Sequence, residues 1–217
     1  MKNRIRNKIE VSLNRLPKTC KNFVEDTIQY ANSKGYKVKL LNKKYEFIGS
    51  LPVGGYFDEE SKEIAVACRG KPIERWIGTL AHEGCHLDQW VQDKKRWDVG
   101  SFIGELDEWF EHEAELSLKK IKRCIKEVQA LEHDCETRTI EKILCYDLPI
   151  DVDRYAQQAN TYVWFYTIAG RKRKWFKKGF APYMIPSIYN KMPKYIMPLD
   201  AYDVVPKPIM KAYEKIF

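Results

Sequence analysis

The chain of 217 residues contains no run of eighteen apolar residues, so no segment of it reads as a membrane-spanning helix. Its start, Met1-Lys2-Asn3-Arg4-Ile5-Arg6-Asn7-Lys8, is basic, but no apolar stretch and small-residue cleavage site follow. It is therefore not read as a signal peptide. Paired cysteines are lacking too: Cys20, Cys68, Cys85, Cys124, Cys135 and Cys145 are scattered without a C-x-x-C. This pattern fits reduced, mostly buried thiols of a cytoplasmic protein and gives no support to a cysteine zinc site. There is no zinc-finger, helix-turn-helix or RNA-recognition signature, no internal repeat and no low-complexity linker. Histidine is scarce, with four in the whole chain.

Hydrophobic residues make up 44% of the chain, enough to bury a core as one domain or one domain with an appendage. The net charge of +8 is placed unevenly: residues 1–44 carry +9, residues 45–150 carry −8 and residues 151–217 carry +7. An acidic middle is thus flanked by basic ends, which suit an acidic partner or nucleic acid. From Gly170 the composition shifts to the basic cluster Arg171-Lys172-Arg173-Lys174-Trp175-Phe176-Lys177-Lys178, followed by six prolines from Pro182 to Pro208. The expected organisation is a domain over residues 1–170 and a basic, proline-rich extension over 171–217, extended and lying against it.

Along the chain, Phe23, Val24, Thr27, Ile28 and Ala31 share one helical face, with Pro17 or Thr19 to open that helix and Gly35 to close it. The period then changes to two, as Tyr36, Val38 and Leu40 alternate with Lys37 and Lys39, the sign of a half-buried strand. Tyr45–Ile48 and Pro52–Phe57 suggest short strands broken at Gly49-Ser50 and Gly54-Gly55. Phe57–Cys68 reads as a hairpin with its turn at 58–62. A helix from Ile73 to about Gln92 follows, then a charged loop at Asp93–Arg96. Two helical blocks come next, Glu105–Lys126 and Glu127–Leu148, with Pro149 as the stop. The acids that open the first of these blocks suit a helix N-terminus and a solvated face. Asp151 can cap an aromatic helix over Val152–Ala169 whose rings read as core.

Within the helix 73–92 stands His82-Glu83-Gly84-Cys85-His86, a His-Glu-x-x-His pattern that uses half of the chain's histidines. At four positions apart the two imidazoles leave the same helical face and can reach one cation. Glu83 points about a third of a turn away, suited to take a proton from a water held by the ion. With this composition the pattern arises by chance in about one shuffled chain in two hundred. Ile77, Leu80, Ala81, Gly84 and Leu87 recur at spacings of three and four, a stripe that buries the helix and leaves the histidines at its edge.

A catalytic zinc takes a third protein ligand and leaves one position for water. Glu132 and Glu136 are one helical turn apart and face the same way, so one could bind the ion while the other orients a ligand histidine. His82-Glu83-Gly84-Cys85-His86 followed by Glu132-His133-Asp134-Cys135-Glu136 resembles the gluzincin pattern. It is similar to minimal gluzincins, including uncharacterised metallopeptidases of bacteriophages, over residues 36–148. The resemblance implies zinc held by His82, His86 and Glu132, with Glu136 as the supporting acid. Cys135 and Glu136 stand where alanine and aspartate are common.

The fold so implied is α+β and zincin-like: mainly helical, with a small, mostly antiparallel sheet beside the metal-binding helix. In that family an edge strand next to this helix receives substrate backbone by strand addition, and Glu63–Cys68 is the segment placed to do so. The implied activity is hydrolysis of a peptide bond by a zinc metallopeptidase, with Glu83 as general base and a protein or peptide as substrate. Tyr162, Arg138 and His112 are candidates for stabilising the oxyanion, though His112 and His133 suit structural or solvent-facing roles better. The alternatives are a zinc protein without catalysis, against which the complete base Glu83 argues, and a nucleic-acid-binding protein whose Trp175 or Phe176 stacks on bases.

Overall fold

The structure is a computed structural model and describes residues 5–48, 51–97, 100–177 and 181–217. The expected break at Gly49-Ser50, the basic start Met1–Arg4 and Lys178 of the basic cluster lie outside these residues. The chain is α+β and divides into two compact units. The first comprises residues 1–93 and 138–150, the second residues 94–137 and 151–217.

In the first unit, α1 (Lys18–Ser33) starts directly after Pro17 and ends at Gly35, as the sequence implies. Gly35 has φ +87°, and the N–H groups of Gly35 and Tyr36 return to the carbonyls of Asn32 and Ala31. This left-handed residue closes the last turn, a conformation that costs glycine little. A four-stranded sheet has the order β1 (Lys8–Ile9), β2 (Lys37–Leu41), β6 (Glu63–Ala67), β5 (Gly55–Asp58). A separate antiparallel hairpin joins β3 (Glu46–Ile48) to β4 (Leu51–Val53).

The sheet departs from the antiparallel expectation. β1 with β2 and β2 with β6 pair in parallel, and only β5 with β6 is antiparallel. The local hairpin 57–68 forms as read, but its returning strand then inserts beside β2 and not at the rim. β6 is consequently an interior strand with every residue buried, and the expectation that Glu63–Cys68 is a substrate-binding edge fails, because both of its edges are hydrogen-bonded to neighbours. Packed on β5 and β6 lies α2 (Ile73–Gln92), while α1 covers β2. The approach of α2 is close: a Cβ on Gly55 would stand 2.6 Å from the Ala65 carbonyl and 2.7 Å from Thr79 Cγ2.

Glu63 is the one acid of the buried strand, and the parallel register explains how it is tolerated. Lys37 pairs across from it and Lys39 lies two residues on; both ammonium groups stand 2.7 Å from Glu63 Oε2, and Tyr56 donates its hydroxyl to Oε1 at 2.5 Å. Burial raises the carboxyl pKa, but the two lysines and Tyr56 outweigh it and hold the group at about 2.

In the second unit, Lys94–Trp97 is a short helix, α3, where its charge suggested a loop. The first of the two helical blocks is interrupted. α4 (Gly100–Phe110) stops because His112 adopts φ +63° while its N–H and that of Glu113 return to Trp109 and Glu108. Arg173 reinforces this end by donating to the carbonyls of Trp109 and Ala114. α5 (Leu118–Cys145) then runs unbroken through the expected junction near residue 126, and its last residues, from Arg138 on, belong to the first unit. α6 (Val152–Lys172) is capped by the Asp151 carboxylate, which accepts from the Arg154 N–H at 3.0 Å.

Residues 171–217 fold within the second unit, as turns and short helices including α7 (Pro186–Tyr189) and α8 (Lys207–Tyr213), and not as an extended tail. Asn160, fully buried on α6, fixes them. Its Nδ2 donates to the carbonyls of Pro193 (3.0 Å) and Tyr195 (2.8 Å), and its Oδ1 accepts from the Met197 N–H and the Tyr202 hydroxyl.

Two predictions follow from these buried polar groups. Glu63→Gln is expected to lower stability by about 2–3 kcal/mol at pH 7. Because the folded carboxyl titrates below its unfolded value, the gap to the parent is full above about pH 4.5 and closes as the pH falls to about 2. Chemical denaturation across that range checks it, and a gap independent of pH refutes it. Asn160→Leu leaves two carbonyls and an N–H without their partner, at a cost of roughly 3 kcal/mol or more, or about 6–12 °C in melting temperature. Limited proteolysis should then cut first between residues 190 and 205; an unchanged melting temperature and cleavage map would exclude the clamp.

Candidate metal centre

α2 forms because Pro72 sets the backbone just ahead of it and a continuous apolar face is available to bury. Trp76, Ile77, Leu80, Ala81, Cys85 and Leu87 are all buried. Gly84 lies among them, and the helix persists through it because packing compensates a local cost of roughly 1 kcal/mol. The face carrying His82 and His86 is the margin of this stripe: His82 is half-buried and His86 buried.

The two imidazoles meet as their spacing implies. Their Nε2 atoms are 3.1 Å apart and their rings stand almost perpendicular, with centroids 4.7 Å apart. His86 Nδ1 lies 2.9 Å from the side-chain oxygen of Gln89. An amide oxygen only accepts, so Nδ1 carries the proton and Nε2 of His86 presents its lone pair toward His82. A tetrahedral zinc ion with Zn–N near 2.0–2.1 Å separates two ligand nitrogens by about 3.3 Å, so the pair fits such an ion after a shift of a few tenths of an ångström. Gln89 went unnoticed in the sequence, although an amide three positions beyond a candidate ligand histidine is a recognisable signal for a tautomer-setting partner. Glu83, beside His82 on the same helix, is buried with 8% of its surface exposed. Within the first unit His82 and His86 supply two nitrogen donors that could hold an ion, while Cys135 belongs to the second unit.

Within the first unit the end of α5 is fastened to α2. Lys142 pairs with Asp88 at 2.7 Å, Thr139 donates its hydroxyl to Cys85 Sγ at 3.5 Å, and Arg138 donates to Gln92 at 2.6 Å. Burial works against the Lys142 charge, yet Cys85 and Asp88 hold its pKa above the ordinary lysine value.

In the second unit the two carboxylates of α5 are both buried, and each meets a tyrosine of α6. Tyr155 donates to Glu136 Oε2 at 2.6 Å, and the Tyr162 hydroxyl lies 3.4 Å from Glu132 Oε1. Tyr162 and Tyr166 share a hydrogen bond of 2.8 Å, and burial together with the Glu132 charge pushes both phenols well above their usual pKa. Both are therefore neutral hydrogen-bonding groups across the physiological range.

The remaining candidates fall elsewhere. His112 is exposed at the end of α4, and His133 is bonded to the Met197 carbonyl at 2.8 Å, so both take the structural or solvent-facing roles expected of them. Trp175 is stacked on Phe165 at 5.2 Å and donates its indole N–H to Asp107, while Phe176 packs edge-on against Phe165. Among the described residues no helix is long and apolar enough to cross a membrane. No protein-family model, curated protein or solved structure matches the chain.

If Gln89 sets the His86 tautomer, Gln89→Leu should weaken binding of added Zn2+ by about tenfold while the fold is retained. Competition with a chromogenic chelator measures this, and an unchanged affinity would remove Gln89 from the centre.

Proposed function

We propose that the protein is a zinc metallopeptidase with a gluzincin-type centre on a zincin-like framework. The observation that carries the reading is the His82–His86 pair, with Nε2 atoms 3.1 Å apart and one lone pair oriented by Gln89, flanked by the buried carboxylate Glu83. A purely structural ion would not call for an acid at that position. When bound, zinc supplies the Lewis acidity that brings the pKa of a water to about 7 and polarises a scissile carbonyl.

The chain's own residues supply the rest. His82 and His86 provide two ligand nitrogens and Glu132 the third ligand, with Glu136 as the supporting acid; Cys135 is the rival donor from the same helix. Glu83 takes a proton from the attacking water as the new C–O bond forms. It then delivers that proton to the amine nitrogen as the C–N bond breaks, which regenerates the carboxylate. Of the three groups considered for the oxyanion, His112 is exposed, while Arg138 and Tyr162 are each already hydrogen-bonded, to Gln92 and to Tyr166; we take the neutral Tyr162 hydroxyl, which also borders Glu132, as the donor.

The purified protein should hold about one equivalent of zinc, lost in His82→Ala and in His86→Ala. Glu83→Gln should keep the metal and lose hydrolysis of an unfolded protein or peptide library by 100-fold or more, roughly the scale of general-base catalysis. Metal content of Glu132→Gln, Cys135→Ser and Glu136→Gln identifies the third ligand. Absence of zinc from the parent, or undiminished hydrolysis by Glu83→Gln, overturns the reading.

A further inference from the structure

A second feature of the first unit is independent of the metal reading. Where β6 leaves the sheet and the chain turns into α2, a small surface cleft of about 220 Å³ is lined by Lys44, Tyr45, Arg69, Gly70, Lys71 and Arg75. Four of these six residues are cationic and none is acidic. The segments are held together by the backbone, since the Arg69 N–H donates to the Lys43 carbonyl at 2.9 Å and Lys71 Nζ donates to the Ala67 carbonyl at 2.6 Å. Lys71 is half-buried, and burial together with the neighbouring Arg75 charge lowers its pKa.

Among the described residues, none of the side chains of Lys44, Arg69, Lys71 and Arg75 forms an ion pair with a carboxylate. The acids nearest in sequence do not lessen this excess: Glu46 pairs with Lys43, and Glu74 is exposed and does not line the cleft. Four like charges confined around so small a volume repel one another, and an anion between them removes that cost. The twenty-residue helix α2 starts at the same place, and its N-cap, Pro72, offers no side chain to the first N–H groups. The helix dipole thus adds to the field of the side chains.

We infer that this cleft binds a phosphate group, free or as the monoester of a small molecule. Its volume accommodates a group and not a length of chain. Two guanidinium forks beside two ammonium groups match a compact dianion with several acceptor oxygens better than a singly charged carboxylate. The aromatic face of Tyr45, 44% exposed at the rim with the Lys44 ammonium 5.4 Å from its ring, borders the place where the rest of such a molecule emerges.

The test uses the full-length protein, inorganic phosphate, a phosphate monoester and acetate in separate titrations at constant ionic strength, followed through amide shifts. Phosphate and the monoester should bind saturably, with changes centred on Gly70, Ile73 and Glu74, and acetate about tenfold more weakly. Arg69→Gln and Arg75→Gln, both at exposed positions, should each weaken phosphate by about fivefold, whereas Lys18→Gln, outside the cleft, should not. Lys71→Met extends the series, with its melting temperature recorded because Lys71 also holds two backbone carbonyls. Equal effects of acetate and phosphate, or arginine variants that bind as the parent does, overturn the inference. So does binding of a single-stranded oligonucleotide through these arginines far more tightly than phosphate, which assigns the cleft to nucleic acid. Chelation of metal should leave phosphate binding unchanged, so the outcome is separate from that of the peptidase reading.

Discussion

One helix has to do two things that conflict. α2 buries one side against β5 and β6, and it carries at the margin of that side two imidazoles and a carboxylate whose use requires them not to disappear into the core. A polar group taken out of water without partners costs several kcal/mol, so the histidines are tolerable only where the stripe ends and where each ring nitrogen has an assigned role. Gln89 meets this requirement for His86. The close seat of the helix on the sheet depends in turn on Gly55, where a side chain would collide with the Ala65 carbonyl.

The same tension recurs at three other buried carboxylates. Glu63 is kept within a hydrophobic strand because a parallel neighbour delivers two lysines and an antiparallel one delivers Tyr56. Glu132 and Glu136 are both covered by tyrosine hydroxyls from α6. Each of these carboxylates is accompanied by donors from another element, which offsets the cost of taking a polar group out of water.

Local features of the fold were legible in the sequence and long-range ones were not. The span Ile73–Gln92, the Gly35 terminus, the Asp151 cap and the alternation through Lys37–Leu40 all rest on periods and on single residues with restricted conformations. The partners of a strand, by contrast, follow from packing: the hairpin 57–68 was evident, but nothing local says that its second strand lies parallel to β2, and β1, of two residues, leaves no period to read. The stop of α4 depends on His112 taking a left-handed conformation that histidine only occasionally adopts, supported by an arginine sixty-one positions later. At the candidate centre the histidine pair could be read from spacing alone. Gln89, three positions beyond His86 on the same helix, was within reach of the same spacing argument, whereas the tyrosine covers of Glu132 and Glu136 required coordinates, because a hydrogen bond between separate elements leaves no mark at either end.

The division of α5 between the two units bears on how the protein is made. Synthesis delivers the sheet, α1 and α2 first, but Thr139 and Lys142, which fasten onto α2, emerge only some fifty residues later. At a synthesis rate of about 5–20 residues per second, the nascent sheet and its helix wait for several seconds without that support. The part of the chain that carries the histidines is thus completed late, by a segment of a helix that begins in the other unit.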